Sequence, residues 1–198
     1  MNAKLTILVT LFLMLAGTVG SHAGMYTFQP SPADLWDLSH DQAYTWGISW
    51  DFPEEQIINV KLTFKAIYNW INEDNWLYVH MLDNPPVGTF QISDPAPSNA
   101  VGSDYFSGQG ILIDVWSDPI GGPPGVDLTY SFADLGILDD FNQYSADGVF
   151  GFGVDPDCHY FNREIKLTVF TSTTIPEPST VILIGLGLAG FGFYRRFK

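Results

Sequence analysis

The chain is short of sulfur and of positive charge. One of its 198 residues is a cysteine, Cys158, so no disulfide can form within the chain and a disulfide-stapled scaffold is excluded. Lysine and arginine number eight against 22 acids, for a net charge of −14. The deficit is concentrated in the middle. Residues 24–175 hold 21 acids and only four bases, Lys61, Lys65, Arg163 and Lys166, a net of −17. Such a surface repels nucleic acid and anionic lipid, so neither is an expected partner. No G-x-S-x-G, H-E-x-x-H or P-loop signature occurs. Apolar residues, by contrast, are plentiful at 46%, with 15% aromatics, which excludes disorder as the main state.

Long apolar runs occur at the two ends. Lys4 precedes an apolar run from Leu5 to Ala16, and Ser21 and Ala23 supply small residues at the −3 and −1 positions of a signal-peptidase site. The run is too short to span ~30 Å of hydrocarbon at ~1.5 Å per residue. Residues 1–23 therefore read as a signal peptide, a leader helix cut to leave Gly24 first. At the other end Ile175-Pro176-Glu177-Pro178-Ser179-Thr180 leads into the uncharged stretch Val181–Tyr194, closed by Arg195, Arg196, Phe197 and Lys198. The prolines stop any strand arriving from the domain. The three bases would hold the tail on the cytoplasmic side, with the folded domain outside. Residues 175–198 thus read as a membrane anchor with a transmembrane helix and a basic stop, leaving residues 24–174 for one domain.

This tail resembles the PEP-CTERM sorting signal of Gram-negative bacteria. The matching residues are Pro176, Glu177, Pro178, Ser179 and Thr180, the glycine-rich apolar stretch, and the basic cluster Arg195, Arg196 and Lys198. The resemblance implies recognition by an exosortase, a membrane-embedded transpeptidase-like enzyme that would cut near Pro176–Pro178. It also implies association with exopolysaccharide or biofilm matrix. Signal peptidase and exosortase are then the processing partners. The chain would be exported across the inner membrane, held there transiently through the tail, and passed to the cell surface or extracellular matrix.

The middle alternates. Tyr44, Trp46, Ile48, Trp50 and Phe52 share one face of a half-buried strand, and Ile58, Val60, Leu62, Phe64 and Ala66 share one face of another. Further strands are expected at 25–29, 76–82, 110–116, 126–132, 148–154 and 164–171, with one helix at about 134–145 and a long polar loop from about 83 to 109. About eight strands with period-2 patterning predict a mainly β fold, an antiparallel β-sandwich. Phe150-Gly151-Phe152-Gly153 and Trp46-Gly47-Ile48-Ser49-Trp50 resemble segments of lectin-like, jelly-roll-like secreted sandwiches.

Two constellations could carry function, and a third is set aside. Asp155 and Asp157 flank a proline ahead of a strand and are candidate Ca²⁺ ligands, because hard cations take carboxylate and loop oxygens. Trp70, Trp76 and Trp116 are a candidate carbohydrate platform. Trp76 and Trp116 fall opposite the apolar faces of their strands, and Trp70 falls at a strand end, whereas Trp46 and Trp50 belong to the core. Cys158 and His159 are adjacent, so in an extended segment they point to opposite faces and make no nucleophile–base pair. No catalytic residue is assigned. The expectation is a non-enzymatic, exosortase-sorted matrix or surface protein that needs no cofactor. The alternatives are a Ca²⁺-dependent carbohydrate-binding module and, behind it, an extracellular hydrolase.

Overall fold

The computed structural model describes residues 20–52, 55–72, 75–94 and 103–175. The leader before Gly20, the sorting motif from Pro176 to Thr180, the stretch Val181–Tyr194 and the bases Arg195, Arg196 and Lys198 lie outside the described residues. Among the described residues no helix is long and apolar enough to cross a membrane.

Among the described residues ten strands run in chain order: β1 (Gly20–Phe28), β2 (Gln42–Ser49), β3 (Gln56–Asn69), β4 (Leu77–Asp83), β5 (Gly88–Ser93), β6 (Ile111–Trp116), β7 (Val126–Ser131), β8 (Val149–Pro156), β9 (Tyr160–Phe161) and β10 (Glu164–Ile175). They form two sheets. One has the order β1-β10-β3-β7, with β9 also paired to β3; the other has the order β5-β2-β8-β4-β6. The registered pairs between strands are antiparallel. Residues Gly24–Thr171 form one compact unit. The described residues outside it, 20–23 and 172–175, are the outer ends of β1 and β10.

The inner faces of the two sheets enclose one core. Val60, Leu62, Phe64, Ile165, Leu167 and Val169 line it from the first sheet; Tyr44, Trp46, Ile48, Val79, Met81, Phe150 and Phe152 line it from the second. These are the alternating apolar sets of their strands, removed from water at ~25 cal/mol per Å². In β3 the alternation breaks near both ends. Ile58 is exposed while Ile57 is buried. Near the other end a register shift between Phe64 and Ile67 puts Ala66 at φ 48° and turns Ile67 inward.

Strand β2 departs from the half-buried expectation: Thr45 and Gly47, on its outer face, are buried as well. Neighbouring β8 explains why. Its phenylalanines 150 and 152 enter the core, and its glycines 151 and 153 leave room on the opposite face. A Cβ on Gly151 would lie 2.5 Å from the ring of Pro85, and one on Gly153 would lie 2.8 Å from the ring of Phe106. Proline and phenylalanine from two loops thus pack directly on the backbone of the second sheet. The stretch expected as one long loop also contains β5, which pairs with β2 from Gln42 opposite Ser93 to Gly47 opposite Gly88. The single expected helix is two: α1 (Phe132–Leu135) and α2 (Leu138–Ser145). Gly136, at φ 73°, ends the first, donating its N–H to Ala133 while Ile137 donates to Phe132.

Candidate functional site

The sandwich has two ends, defined by the direction of its strands. At one end the compact unit begins with Gly24 and finishes with Thr171, and these two residues are in contact. The carboxylate of Glu55 sits between them and accepts hydrogen bonds from the hydroxyls of Tyr26 and Thr171. That bond, more than burial, raises the pKa of the Tyr26 hydroxyl. Gln29 and Glu164, the other ends of the same stretch of β1 and β10, meet at 2.7 Å. The two strands are therefore antiparallel, and Gly24 and Thr171 lie together at the Glu55 end. Strand β10 runs to Ile175, one residue before Pro176.

At the opposite end β3 delivers Trp70. Its backbone N–H donates to the carbonyl of His159 at 3.1 Å, and the indole ring lies 6.3 Å from the His159 imidazole. The His159 ring stands edge-on to that of His40, with centroids 4.4 Å apart. Partial burial holds the His159 pKa below its ordinary value, and the neighbouring imidazole adds to this. Trp70 is 62% exposed. Ile71 and Ile120 are exposed beside it, brought together because Gly121, at φ 63°, packs against the Ile71 carbonyl where a Cβ would not fit. The loop from β1 to β2 closes the same end. It carries Leu35, Trp36 and Asp37 in three successive left-handed conformations, at φ 53°, 60° and 52°. Non-glycine residues rarely adopt this conformation, and each costs about 1–3 kcal/mol. The loop is held by bonds to its backbone: Tyr160 N–H to Leu38, Ile165 N–H to Ala33, and the Asn162 amide to Asp34. It buries Leu35 and leaves Trp36 exposed.

Trp76 and Trp116 do not join this surface. Both are half-buried. Trp116 packs on the core with its ring 5.6 Å from that of Tyr160. The cause is a register shift between β4 and β6: Val79 faces Asp114, but His80 faces Leu112. One extra residue in β6 reverses the parity, so Trp116 lies opposite Leu77 on the core side. Of the three expected platform residues only Trp70 is open to solvent. Trp36 and the His40–His159 pair were not among the expected site residues, since neither belongs to an alternating run.

The outer face of the second sheet holds the other polar constellation. Tyr78 and Asp155 are register partners there, and His80 follows on the same side of β4. The segment Asp104–Gly110 folds over them. Asp155 Oδ2 accepts the Tyr105 N–H at 2.7 Å. His80 donates through Nδ1 to the Gln109 carbonyl at 3.2 Å, and its Nε2 shares a hydrogen with Asp104 at 3.0 Å. Phe106, Ala43 and Leu82 make a small second core beneath. Asp155 is 1% exposed and its Oδ1 has no hydrogen-bond partner. Burial pushes its carboxyl up to about 7; Asp94, Asp157 and Asp104 add to this, against the Tyr105 hydrogen bond. A cleft of about 530 Å³ opens beside the segment, lined by Thr45, Leu82, Phe90, Ile92, Tyr105 and Gln109 among others.

Asp157 is half-buried, and its backbone N–H donates to the Trp76 carbonyl at 2.8 Å. Among the described residues no group of three or more His, Cys, Asp or Glu side chains is placed to hold a metal ion. Asp155 has Asp94, Asp157 and Asp104 as its nearest acidic neighbours. Cys158 is buried and His159 exposed, on opposite sides of their segment.

Residues 174–196 match the family model of the PEP-CTERM protein-sorting motif. No curated protein matches the chain. Among solved structures, the latent aurone synthase, a polyphenol oxidase from natural source, is similar over 68% of this chain and 25% of its own, at 14% identity and a TM-score of 0.40. The chain thus spans about a quarter of that protein's length. The tomato aspermy virus structure is similar over 90% of this chain and 98% of its own, at 8% identity and a TM-score of 0.31.

Proposed function

We propose that the chain is a non-enzymatic component of the bacterial cell surface or exopolysaccharide matrix, delivered there by an exosortase. The sorting motif at residues 174–196 carries the reading. It marks an exported chain that is anchored in the membrane and then processed by an exosortase. On this reading signal peptidase cuts after Ala23, the tail holds the inner membrane through Val181–Tyr194, and the exosortase cuts near Pro176–Pro178. Both cuts then fall outside the compact unit Gly24–Thr171, leaving its core and its Glu55 clasp whole. A non-enzymatic role is supported by the state of the polar groups on the second sheet. His80, Asp155 and Tyr78 are buried, and both nitrogens of His80 are engaged.

Intact mass of the protein recovered from cells and medium tests the reading. The expected species begins at Gly24 and ends between Pro176 and Pro178. A strain lacking the exosortase should retain the uncut tail in its inner membrane. Recovery of only the uncut tail from a strain with active exosortase would overturn the reading.

A further inference from the structure

We propose that the end of the sandwich opposite Gly24 and Thr171 binds an uncharged polysaccharide, with Trp70 and Trp36 as stacking faces and the His159 and His40 imidazoles beside Trp70 as hydrogen-bonding groups. Four observations converge there. Trp70 and Trp36 are exposed at 62% and 43%, against 4% and 5% for the core tryptophans Trp46 and Trp50. Large aromatics exposed to this degree mark interaction surfaces. The backbone carrying Trp36 is held in a run of left-handed residues, and such strain persists where the surroundings over-determine it, often at binding sites. The His159 imidazole supplies hydrogen-bonding nitrogens at the Trp70 face, His40 packs behind it with Nε2 3.1 Å from the Asp41 carboxylate, and Trp70 is fixed by its bond to the His159 carbonyl. A flat aromatic ring flanked by imidazole donors and acceptors matches a pyranose, which offers an apolar C–H face and a rim of hydroxyls.

Charge selects among polysaccharides. Asp34, Asp37, Asp41, Asp118 and Asp157 lie on the loops of this end, with Arg163 as the base beside them. The domain as a whole carries −17, so a polyanionic glycan is repelled and an uncharged one is not. Position completes the case. Gly24 and Thr171, the first and last residues of the compact unit, lie at the Glu55 end, away from this face. The proposal goes beyond export and sorting. Binding is read on purified protein, so a failure of sorting would leave it standing, and a failure of binding would leave sorting standing.

The test is native affinity electrophoresis of the full chain in non-ionic detergent. The gels contain a soluble β-glucan, a galactomannan or dextran, with alginate as the anionic comparison. The expected result is retardation by at least one of the uncharged polymers and none by alginate. Trp70→Ala should weaken that binding about tenfold or more, as removal of a central aromatic anchor does, while Trp70→Phe retains part of it. Trp36→Gly, which suits the left-handed backbone, should weaken it severalfold and serves as the second variant if Trp70→Ala proves misfolded. Phe90→Ala, in the cleft of the second sheet, should change it less than about twofold, since it lies off the proposed face. No retardation by any uncharged polymer, binding of alginate instead, or equal binding by Trp70→Ala and the unaltered chain would overturn the proposal. So would loss of binding in Phe90→Ala with Trp70→Ala unaffected.

Discussion

Asp155→Asn should raise stability at alkaline pH and leave it nearly unchanged at acidic pH. The carboxyl is 1% exposed and titrates at about 7 in the folded chain, against an ordinary 3.8. Below pH 3.8 folded and unfolded chains both hold the proton, and the group contributes no pH dependence. Between 3.8 and 7 the unfolded chain releases it while the folded chain keeps it, so stability falls as pH rises. Above 7 the folded chain carries a buried carboxylate, and the full penalty is present. At roughly 1.4 kcal/mol per pH unit of displacement that penalty is of order 2–4 kcal/mol. Asparagine cannot ionise. Its oxygen still accepts the Tyr105 N–H, and its amide fills the place of an oxygen that already lacks a partner. At pH 5 the two chains should therefore melt within a few degrees of each other. At pH 8 the variant should melt about 5–10 °C higher, at roughly 2–4 °C per kcal/mol for a domain of this size. Taking the difference between the chains at each pH cancels the titration of the other carboxylates. Parallel melting curves across pH 5–8, or a variant less stable at pH 8, would refute the reasoning.

Phe106→Ala should destabilise by about 3–5 kcal/mol in urea unfolding, because Phe106 is 1% exposed and seals the second small core. Gly153→Ala should destabilise by about 1–3 kcal/mol, since its Cβ would lie 2.8 Å from the Phe106 ring, and Gly153→Ala with Phe106→Ala should lose less than the sum of the two. Ca²⁺ and Mg²⁺ at equal concentration should shift the melting temperature equally, by screening of the −17 domain; a Ca²⁺-specific shift abolished by Asp157→Asn would instead identify the aspartates as ligands.

The two sheets were legible because burial on one face writes a period of two into a strand. Tyr44, Trp46 and Ile48, or Ile165, Leu167 and Val169, are read directly. What the pattern hid were departures from strict alternation. The extra residue in β6 turned Trp116 from an expected outer platform to the core side, and a shift of one position is invisible in a segment of six residues. Strand β5 carries Phe90 and Ile92 in alternation, but two prolines precede it, Gly88 opens it and Asp94 follows, so punctuation outweighed period. Gly136 split a helix whose apolar spacing continued across it. Trp70 was placed at a strand end by its polar neighbours. His40, in the same loop as Trp36, and His159 come from separate loops, and contacts set by the closing of a fold leave no local periodicity.

The central place of β10 in its sheet also decides how the domain bears load. The strand is 12 residues long, lies between β1 and β3, and runs straight into the processed tail. A pull on Ile175 acts along the strand axis, while inter-strand hydrogen bonds lie across it. Tension entering there therefore shears both flanking ladders at once instead of opening them one rung at a time. The Glu55 carboxylate, bridging Tyr26 and Thr171, ties β10 to β1 at the point where that tension enters. Resistance to forced unfolding is governed by the unfolding rate rather than by equilibrium stability, and this geometry loads many hydrogen bonds in parallel. A pull on Ile175 is thereby shared between the two ladders that flank β10.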